Sequence, residues 1–268
     1  MDVRKMKKNV RGIKILFFAF LAAMMLSGIP AICRETEPVF SSYADKKEFS
    51  EQVSGMIASA WETWQNGLTI GDVEVNGSRG IISPGGLSGP VLINQKILQG
   101  IKTKNISKDK MKCLMAVTGA VSDCMREWQR GYRNDNVPFP EGSSSSFSLT
   151  PCSNVPVAVS SGFSSAERKI TENDLYDYMI YRGPGPGKDV SAVFQAAAKA
   201  FCLVFKEWKE NCFIEGIIAS GGIAPAPSPM GAGPGPVRGA KGAGGKLTGA
   251  YFNGDRMSEE MVKLVHSR

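Results

Sequence analysis

The side chains that usually carry acyl-transfer chemistry are scarce in this chain. Its single histidine is His266, third from the C-terminus, so a nucleophile has one candidate imidazole base at most. Ser107 and Lys110 have the spacing of a serine and lysine dyad, but none of the companion motifs occurs, and Ser107 is better explained as a helix cap. The sequence therefore predicts no catalytic residue.

Carboxylate pairs need no histidine and would support glycoside hydrolysis. The candidates are Glu172, Asp174 and Asp177, or Glu207 and Glu210. Their spacing selects none of them, because acids beside lysines on a helix face are typical of solvated ion pairs. No CxxC, HExxH or complete phosphate-loop motif occurs, so we expect neither a metal nor a cofactor.

The N-terminal segment has the layout of an export signal. Six basic residues precede residue 15, an uncharged apolar stretch covers 15–26, and small residues follow as far as Ala31. We expect cleavage after Ala31. The alternatives are an uncleaved anchor, which would then be the only membrane contact, and a lipoprotein acylated at Cys33.

The positive charge of the chain is concentrated in this segment. Without residues 1–31 the formal charge falls from +7 to +2. A nucleic-acid-binding protein needs a basic face to displace counterions, so the sequence argues against a nucleic-acid partner.

Export changes what the cysteines imply, because thiols outside the reducing cytosol tend to pair. The six are Cys33, Cys113, Cys124, Cys152, Cys202 and Cys212. Cys113 and Cys124 are too far apart along one predicted helix to bridge each other, and the same holds for Cys202 and Cys212. The spacing favours disulfides between these two helices, or from one of them to Cys152, with buried free thiols as the alternative.

Apolar residues at helical spacing predict three long helices and three shorter ones. The long helices cover about 45–66, 107–131 and 189–213. The shorter helices cover about 91–102, 164–182 and 257–266. Thr171 and Asp174 form a plausible capping pair inside the second of these.

A weak threefold pattern follows from the long helices. Each carries a tryptophan in its last turns, and Trp64, Trp128 and Trp208 are spaced by 64 and 80 residues. The segment GIISPGG at 80–86 is echoed by GIIASGG at 216–222. These matches indicate up to three units of helix, Gly-rich extended piece and helix, with chance similarity as the alternative. The three indoles are expected to be packing anchors or a platform for a ligand.

We therefore predict a mainly α fold with six or so helices, short β pieces and long Gly/Pro-rich loops. The predicted organisation is a signal peptide at 1–31, a helical domain at 32–215, a Gly/Pro-rich arm or loop at 216–249 and a C-terminal helix at 250–268. The arm contains eleven Gly and five Pro, which is typical of a flexible tail. It keeps several apolar residues that a purely solvating linker lacks, so the alternatives are an arm that lies on a neighbouring subunit and an ordered loop that covers an apolar surface.

These features favour an exported structural or assembly protein whose Gly/Pro-rich arms contact other protein subunits. One alternative is a periplasmic or extracellular binding module for sugar or peptide, in which tryptophans line a groove. Another is a carboxylate-based hydrolase of the cell envelope.

Overall fold

The computed structural model describes residues 38–99, 106–140, 144–145, 148–185, 187–223 and 237–266. The predicted export segment and Cys33 lie outside the described residues. The described helices are α1 (Tyr43–Gly67), α2 (Asn94–Leu98), α3 (Lys108–Gly131), α4 (Glu172–Arg182), α5 (Lys188–Asn211) and α6 (Gly254–His266). Two 3-10 turns cover Val159–Ser161 and Glu167–Lys169.

Three helices begin at a hydroxyl side chain that caps the first turn. In each case the hydroxyl accepts a hydrogen bond from the backbone N–H three residues further on, at Ser42, Ser107 and Thr171. The long helices α1, α3 and α5 start and end within two residues of the predicted positions. Predicted helix 164–182 is shorter in the structure, because a strand and a 3-10 turn occupy its first part.

Thirteen short strands lie between these helices in the described part of the chain. They are β1 (Thr69–Ile70), β2 (Val73–Asn76), β3 (Arg79–Ile82), β4 (Leu87–Ser88), β5 (Tyr132–Pro138), β6 (Ser144–Ser145), β7 (Ser148–Ser153), β8 (Val157–Ala158), β9 (Phe163–Ser164), β10 (Cys212–Glu215), β11 (Ile218–Gly221), β12 (Ala240–Ala243) and β13 (Lys246–Gly249). They form antiparallel sheets in the orders β1-β4, β13-β10-β8 and β6-β7-β11-β12-β2-β3-β5-β9.

The prediction of a mainly α fold with only short β pieces is wrong, because one sheet contains eight strands. Several of these strands pair across large sequence separations, as β12 does with β2 through Ala240 and Val75. A four-residue strand such as Ala-Lys-Gly-Ala carries little alternation of apolar and polar residues. Its partner, not its own sequence, determines that it is a strand.

The same strand pairing occurs three times in the chain, at the same number of residues after Trp64, Trp128 and Trp208. We call each long helix with the strands and short helix that follow it a unit. After each long helix, the first strand of the unit pairs antiparallel with the last strand of the same unit. The residue five positions after the tryptophan is the paired one in all three cases: Thr69 with Ser88, Arg133 with Phe163 and Phe213 with Thr248. The chain therefore contains three units of long helix, strands and short helix with a common internal register.

The units are joined through the large sheet in a cyclic order. Strand β3 of the first unit pairs with β5 of the second, β7 of the second pairs with β11 of the third, and β12 of the third pairs with β2 of the first. The inward side chains of this sheet, such as Val73, Val75 and Ile82, belong to the same buried core as the apolar faces of the long helices. The three units thus share one core.

Part of the segment at 216–249, which is predicted to be a Gly/Pro-rich arm or loop, belongs to these sheets. Strands β11, β12 and β13 all fall within it. Residues 224–236 of the segment lie outside the described residues. In the described ranges, no helix combines the length and the apolar character needed to cross a membrane.

Candidate functional site

The four tryptophans lie together in the core. Trp61, Trp64, Trp128 and Trp208 are at most 2% exposed, and their ring centroids are 4.9–6.5 Å apart in the contacting pairs. Most of these pairs meet edge to face, which the quadrupoles of the rings favour. The predicted candidates Trp64, Trp128 and Trp208 therefore present no exposed indole face on which a ligand could stack.

The indole N–H groups follow the cyclic order of the units. Trp64 Nε1 donates to Gln129 Oε1 at 2.9 Å, and Trp208 Nε1 donates to Gln65 Oε1 at 2.8 Å. Each acceptor is the residue directly after the tryptophan of another unit. A buried donor that lost its acceptor would carry its full desolvation cost, so these bonds fix how the long helices pack.

The residue that follows the tryptophan of the third unit is a lysine in place of a glutamine, and it forms an ion pair. Lys209 follows Trp208, and its Nζ donates to Glu167 Oε2 at 2.7 Å. Trp128 Nε1 donates to Glu167 Oε1 at 3.0 Å. Glu167 thus connects the second and third units. We use the name tryptophan ring for the three indoles together with their hydrogen-bond partners Gln65, Gln129 and Glu167 and with Lys209.

Trp61, three residues before Trp64 on α1, lies beside this ring. Its Nε1 is buried and has no hydrogen-bond partner among the described residues. The indole meets Trp208 edge to face, with the ring centroids 4.9 Å apart and the ring planes at 80°.

All five described cysteines are free thiols: Cys113, Cys124, Cys152, Cys202 and Cys212. The predicted disulfides between α3 and α5, or to Cys152, are therefore not present in the structure. Cys113 and Cys212 are buried in the core, and Cys124, Cys152 and Cys202 are partly buried against it, where a cysteine acts as a small apolar residue.

Burial also sets the ionisation of four of these thiols. Desolvation raises the pKa of Cys124 to about 11, and it raises the pKa of Cys113, Cys202 and Cys212 to about 12. Because the thiolate is the nucleophile and the metal ligand, the raised pKa lowers the reactive fraction of these four thiols at neutral pH.

The remaining sequence candidates for chemistry have structural partners. Ser107 caps α3, and Lys110 Nζ forms an ion pair with Asp45 at 2.9 Å. His266 packs edge to face on Tyr43 at 5.2 Å. Glu207 lies 3.6 Å from Arg256. Within the described ranges, no group of three or more His, Cys, Asp or Glu side chains is arranged to hold a metal ion.

The carboxylate candidates of α4 lie on a different surface. Asp174 and Asp177 line a groove that also contains two tyrosines of the same helix. Sequence spacing did not distinguish these acids from other helical acids, because the groove is formed by packing of α4 against α3.

A second distinct feature is the end of the large sheet where the strand connections of the three units meet. We define the loop end as residues 76–79, 138–140, 222–223 and 237–239. In the first unit only Gly77 and Ser78 connect β2 to β3. In the second unit the connection from β5 continues through 139–147, and in the third unit 222–239 connect β11 to β12.

Backbone hydrogen bonds join the three connections at the loop end. Gly77 N donates to Val237 O at 2.6 Å, and Phe139 N donates to Ser78 O at 2.8 Å. Gly239 N donates to Asn76 Oδ1 at 2.9 Å. The tight turn of the first unit therefore fixes the stems of the two longer connections side by side.

The side chains at the loop end are partly apolar and partly cationic. Ile223 is 75% exposed although it pairs with Arg238 in an antiparallel bridge. Arg79 and Arg238 are exposed, as is Lys241 on the adjoining strand. In the described part of the chain, the loop end thus presents one exposed apolar side chain beside three exposed cations.

No protein-family model, no curated protein and no solved structure matches the chain.

Proposed function

We propose that this is an exported structural or assembly protein whose loop end contacts a neighbouring protein subunit. The single observation that carries the proposal is the set of backbone hydrogen bonds that anchors two expanded connections to the turn at Gly77 and Ser78. A rigid sheet that presents loops at one end is a common design for recognition, because the scaffold positions segments that can vary.

The composition of the third connection supports a contact role. Residues 224–236 read APAPSPMGAGPGP and contain five prolines. Proline restricts the unbound chain, so a Pro-rich segment loses less conformational entropy when it binds than a Gly/Ser segment of equal length. Met230 in its middle and Ile223 at its base supply apolar contact area.

Export belongs to this proposal through the N-terminal segment. Cations, an apolar stretch and small residues up to Ala31 are the pattern of a signal peptide. Intact mass of the native protein, measured with and without reductant and alkylation, tests this part. A mature chain beginning at Ile32 supports export, and a cytosolic chain that begins at Met1 contradicts it.

The contact role is tested by shortening the third connection. Replacing 224–236 with a short Asn-Gly linker keeps the bridge between Ile223 and Arg238 and keeps Val237, which is 2% exposed. A matched control carries the same thirteen residues in scrambled order. Mass photometry and size-exclusion light scattering at micromolar concentration give the oligomeric state, and thermal unfolding checks the fold.

We expect the parent protein to assemble and the shortened variant to be monomeric with an unchanged melting temperature. The proposal would be refuted if the parent protein is only monomeric and no partner subunit is found bound to it. Equal assembly of parent and shortened variant would also refute it.

A further inference from the structure

The groove between α3 and α4 combines carboxylates with aromatic rings on the surface. Its volume is about 460 Å³. The acids that line it are Asp123, Glu127, Asp174 and Asp177, and the rings are those of Tyr178 and Tyr181. Lys169 is the one basic residue among its lining residues in the described part of the chain. The groove is remote in sequence from the loop end and is independent of the function proposed above.

One guanidinium group of the protein is already bound by two of the residues that line this groove. Arg182 donates from Nη2 to Asp123 Oδ2 at 2.6 Å, and its central carbon lies 4.6 Å from the centroid of the Tyr178 ring. The same nitrogen lies 3.2 Å from Tyr178 Oη. A carboxylate and a tyrosine face thus bind one planar cation from two sides, which is the geometry of combined ion pairing and cation–π contact.

The groups further along α4 repeat this combination without a cation. Asp177 and Tyr181 are four residues apart, as are Asp174 and Tyr178, so each acid lies one helical turn from a tyrosine. Tyr181 is 87% exposed. Among the described residues Asp177 has no hydrogen bond and no ion pair, whereas Asp174 accepts one from the Thr171 hydroxyl at 2.6 Å.

The charges identify the occupant. Asp123 is neutralised by Arg126 and Arg182, and Glu127 by Lys169. The negative charges of Asp174 and Asp177 are left without a cationic partner in the described residues. We propose that this groove binds an arginine side chain of a basic peptide segment, with the guanidinium on the Tyr181 ring and paired to Asp177.

Arginine fits these groups better than other side chains do. Its guanidinium is planar, so it can stack on an exposed tyrosine and donate in its own plane to a carboxylate at the same time. A lysine ammonium is more strongly hydrated and offers no flat face. A neutral sugar could stack on Tyr181, but it would leave both carboxylates uncompensated.

The experiment uses the full chain and two peptides that differ in one kind of functional group. The first is acetyl-Gly-Arg-Gly-Arg-Gly-amide, and the second has citrulline at both arginine positions, which keeps the shape and removes the charge. Binding is followed by two-dimensional amide NMR titration at low and at physiological salt. We expect the arginine peptide to shift signals of α3 and α4 and to bind more weakly as salt increases.

Two variants locate the site. Asp177→Asn and Tyr181→Ala change exposed side chains, so both proteins should fold, and the NMR spectrum verifies this. We expect each to weaken arginine-peptide binding by about two- to fivefold, the size of an exposed ion pair or cation–π contact. The matched controls Glu62→Gln and Tyr251→Ala change an exposed acid and an exposed tyrosine elsewhere and should bind as the parent does.

Three results would overturn the proposal. The first is equal binding of the citrulline peptide, and the second is binding that is unchanged in both groove variants. The third is tighter binding of a neutral trisaccharide such as maltotriose at the same residues, which would assign the groove to a sugar.

Discussion

Removal of the Glu167 carboxylate is the most informative perturbation of the tryptophan ring. In Glu167→Ala, Trp128 Nε1 loses an acceptor at 3.0 Å and Lys209 Nζ loses one at 2.7 Å. Trp128 is fully buried, so its orphaned N–H costs about 1–3 kcal/mol. The side chain of Lys209 is 13% exposed, and loss of its counter-ion adds about 1 kcal/mol once solvent screening is included.

We therefore expect Glu167→Ala to lower the free energy of unfolding by about 2–4 kcal/mol. For a chain of this size that corresponds to a decrease in melting temperature of about 5–15 °C. Glu167→Gln keeps an oxygen for the indole but replaces the oxygen that accepts from Lys209 with an amide NH2, so its cost should be about 1 kcal/mol.

The assay is urea unfolding followed by tryptophan fluorescence and circular dichroism, with the midpoint and the slope fitted separately. Glu127→Ala is the matched control, because it breaks an ion pair on the surface. In that pair the Glu127 side chain is 48% exposed and the Lys169 side chain is 60% exposed. Glu127→Ala should cost less than about 0.5 kcal/mol.

Two results would refute this reasoning. One is a Glu167→Ala protein within about 0.5 kcal/mol of the parent, and the other is a Glu167→Gln protein as unstable as the alanine variant. A double-mutant cycle with Lys209→Met separates the ion pair from the indole hydrogen bond, because only the first disappears with the lysine.

Three further perturbations test other parts of the structure. The Ser41 hydroxyl and Lys110 lower the pKa of Asp45 from 3.8 to about 2, so the free energy of unfolding should fall as the pH drops from about 4 to about 2. Unfolding measured across this pH range should show a smaller fall for Asp45→Asn. The raised pKa values predict slow reaction with iodoacetamide in the native state near pH 8 and fast reaction after unfolding for four thiols: Cys113, Cys124, Cys202 and Cys212. Mass spectrometry measures the labelling, and rapid labelling of the native protein would contradict the raised pKa values. Gly222→Ala would put a Cβ 2.7 Å from backbone atoms, whereas Gly221→Ala, also at positive φ, meets no atom within 4 Å. Thermal unfolding should therefore rank Gly222→Ala as clearly less stable, and equal losses would show that backbone strain alone matters.

The long helices were predictable because their signals are local. Apolar residues repeat every three to four positions over several turns, and hydroxyl caps such as Ser107 mark the first residue. The spacing of Trp64, Trp128 and Trp208 also pointed to related units. Their common surroundings arise from equivalent positions at the end of each long helix.

The sheets and the candidate sites were not predictable in the same way. Strands such as β12 and β13 contain glycine and become ordered through partners far away in sequence, so they looked like parts of a flexible arm. The disulfide prediction failed because distance along a helix excludes a bridge but does not bring two helices' thiols together. Asp177 and Tyr181 line a groove only because α4 packs against α3, and this packing could not be predicted from the sequence.

The pairing of β12 with β2 sets the earliest moment at which the fold can be completed. A ribosome makes β2 before residue 77, but its partner begins at residue 240 of 268. Until then the first unit has one open sheet edge, which is a template for association with other chains. The sheet that joins the first and third units can therefore form only after the segment that contains β12 has been synthesised.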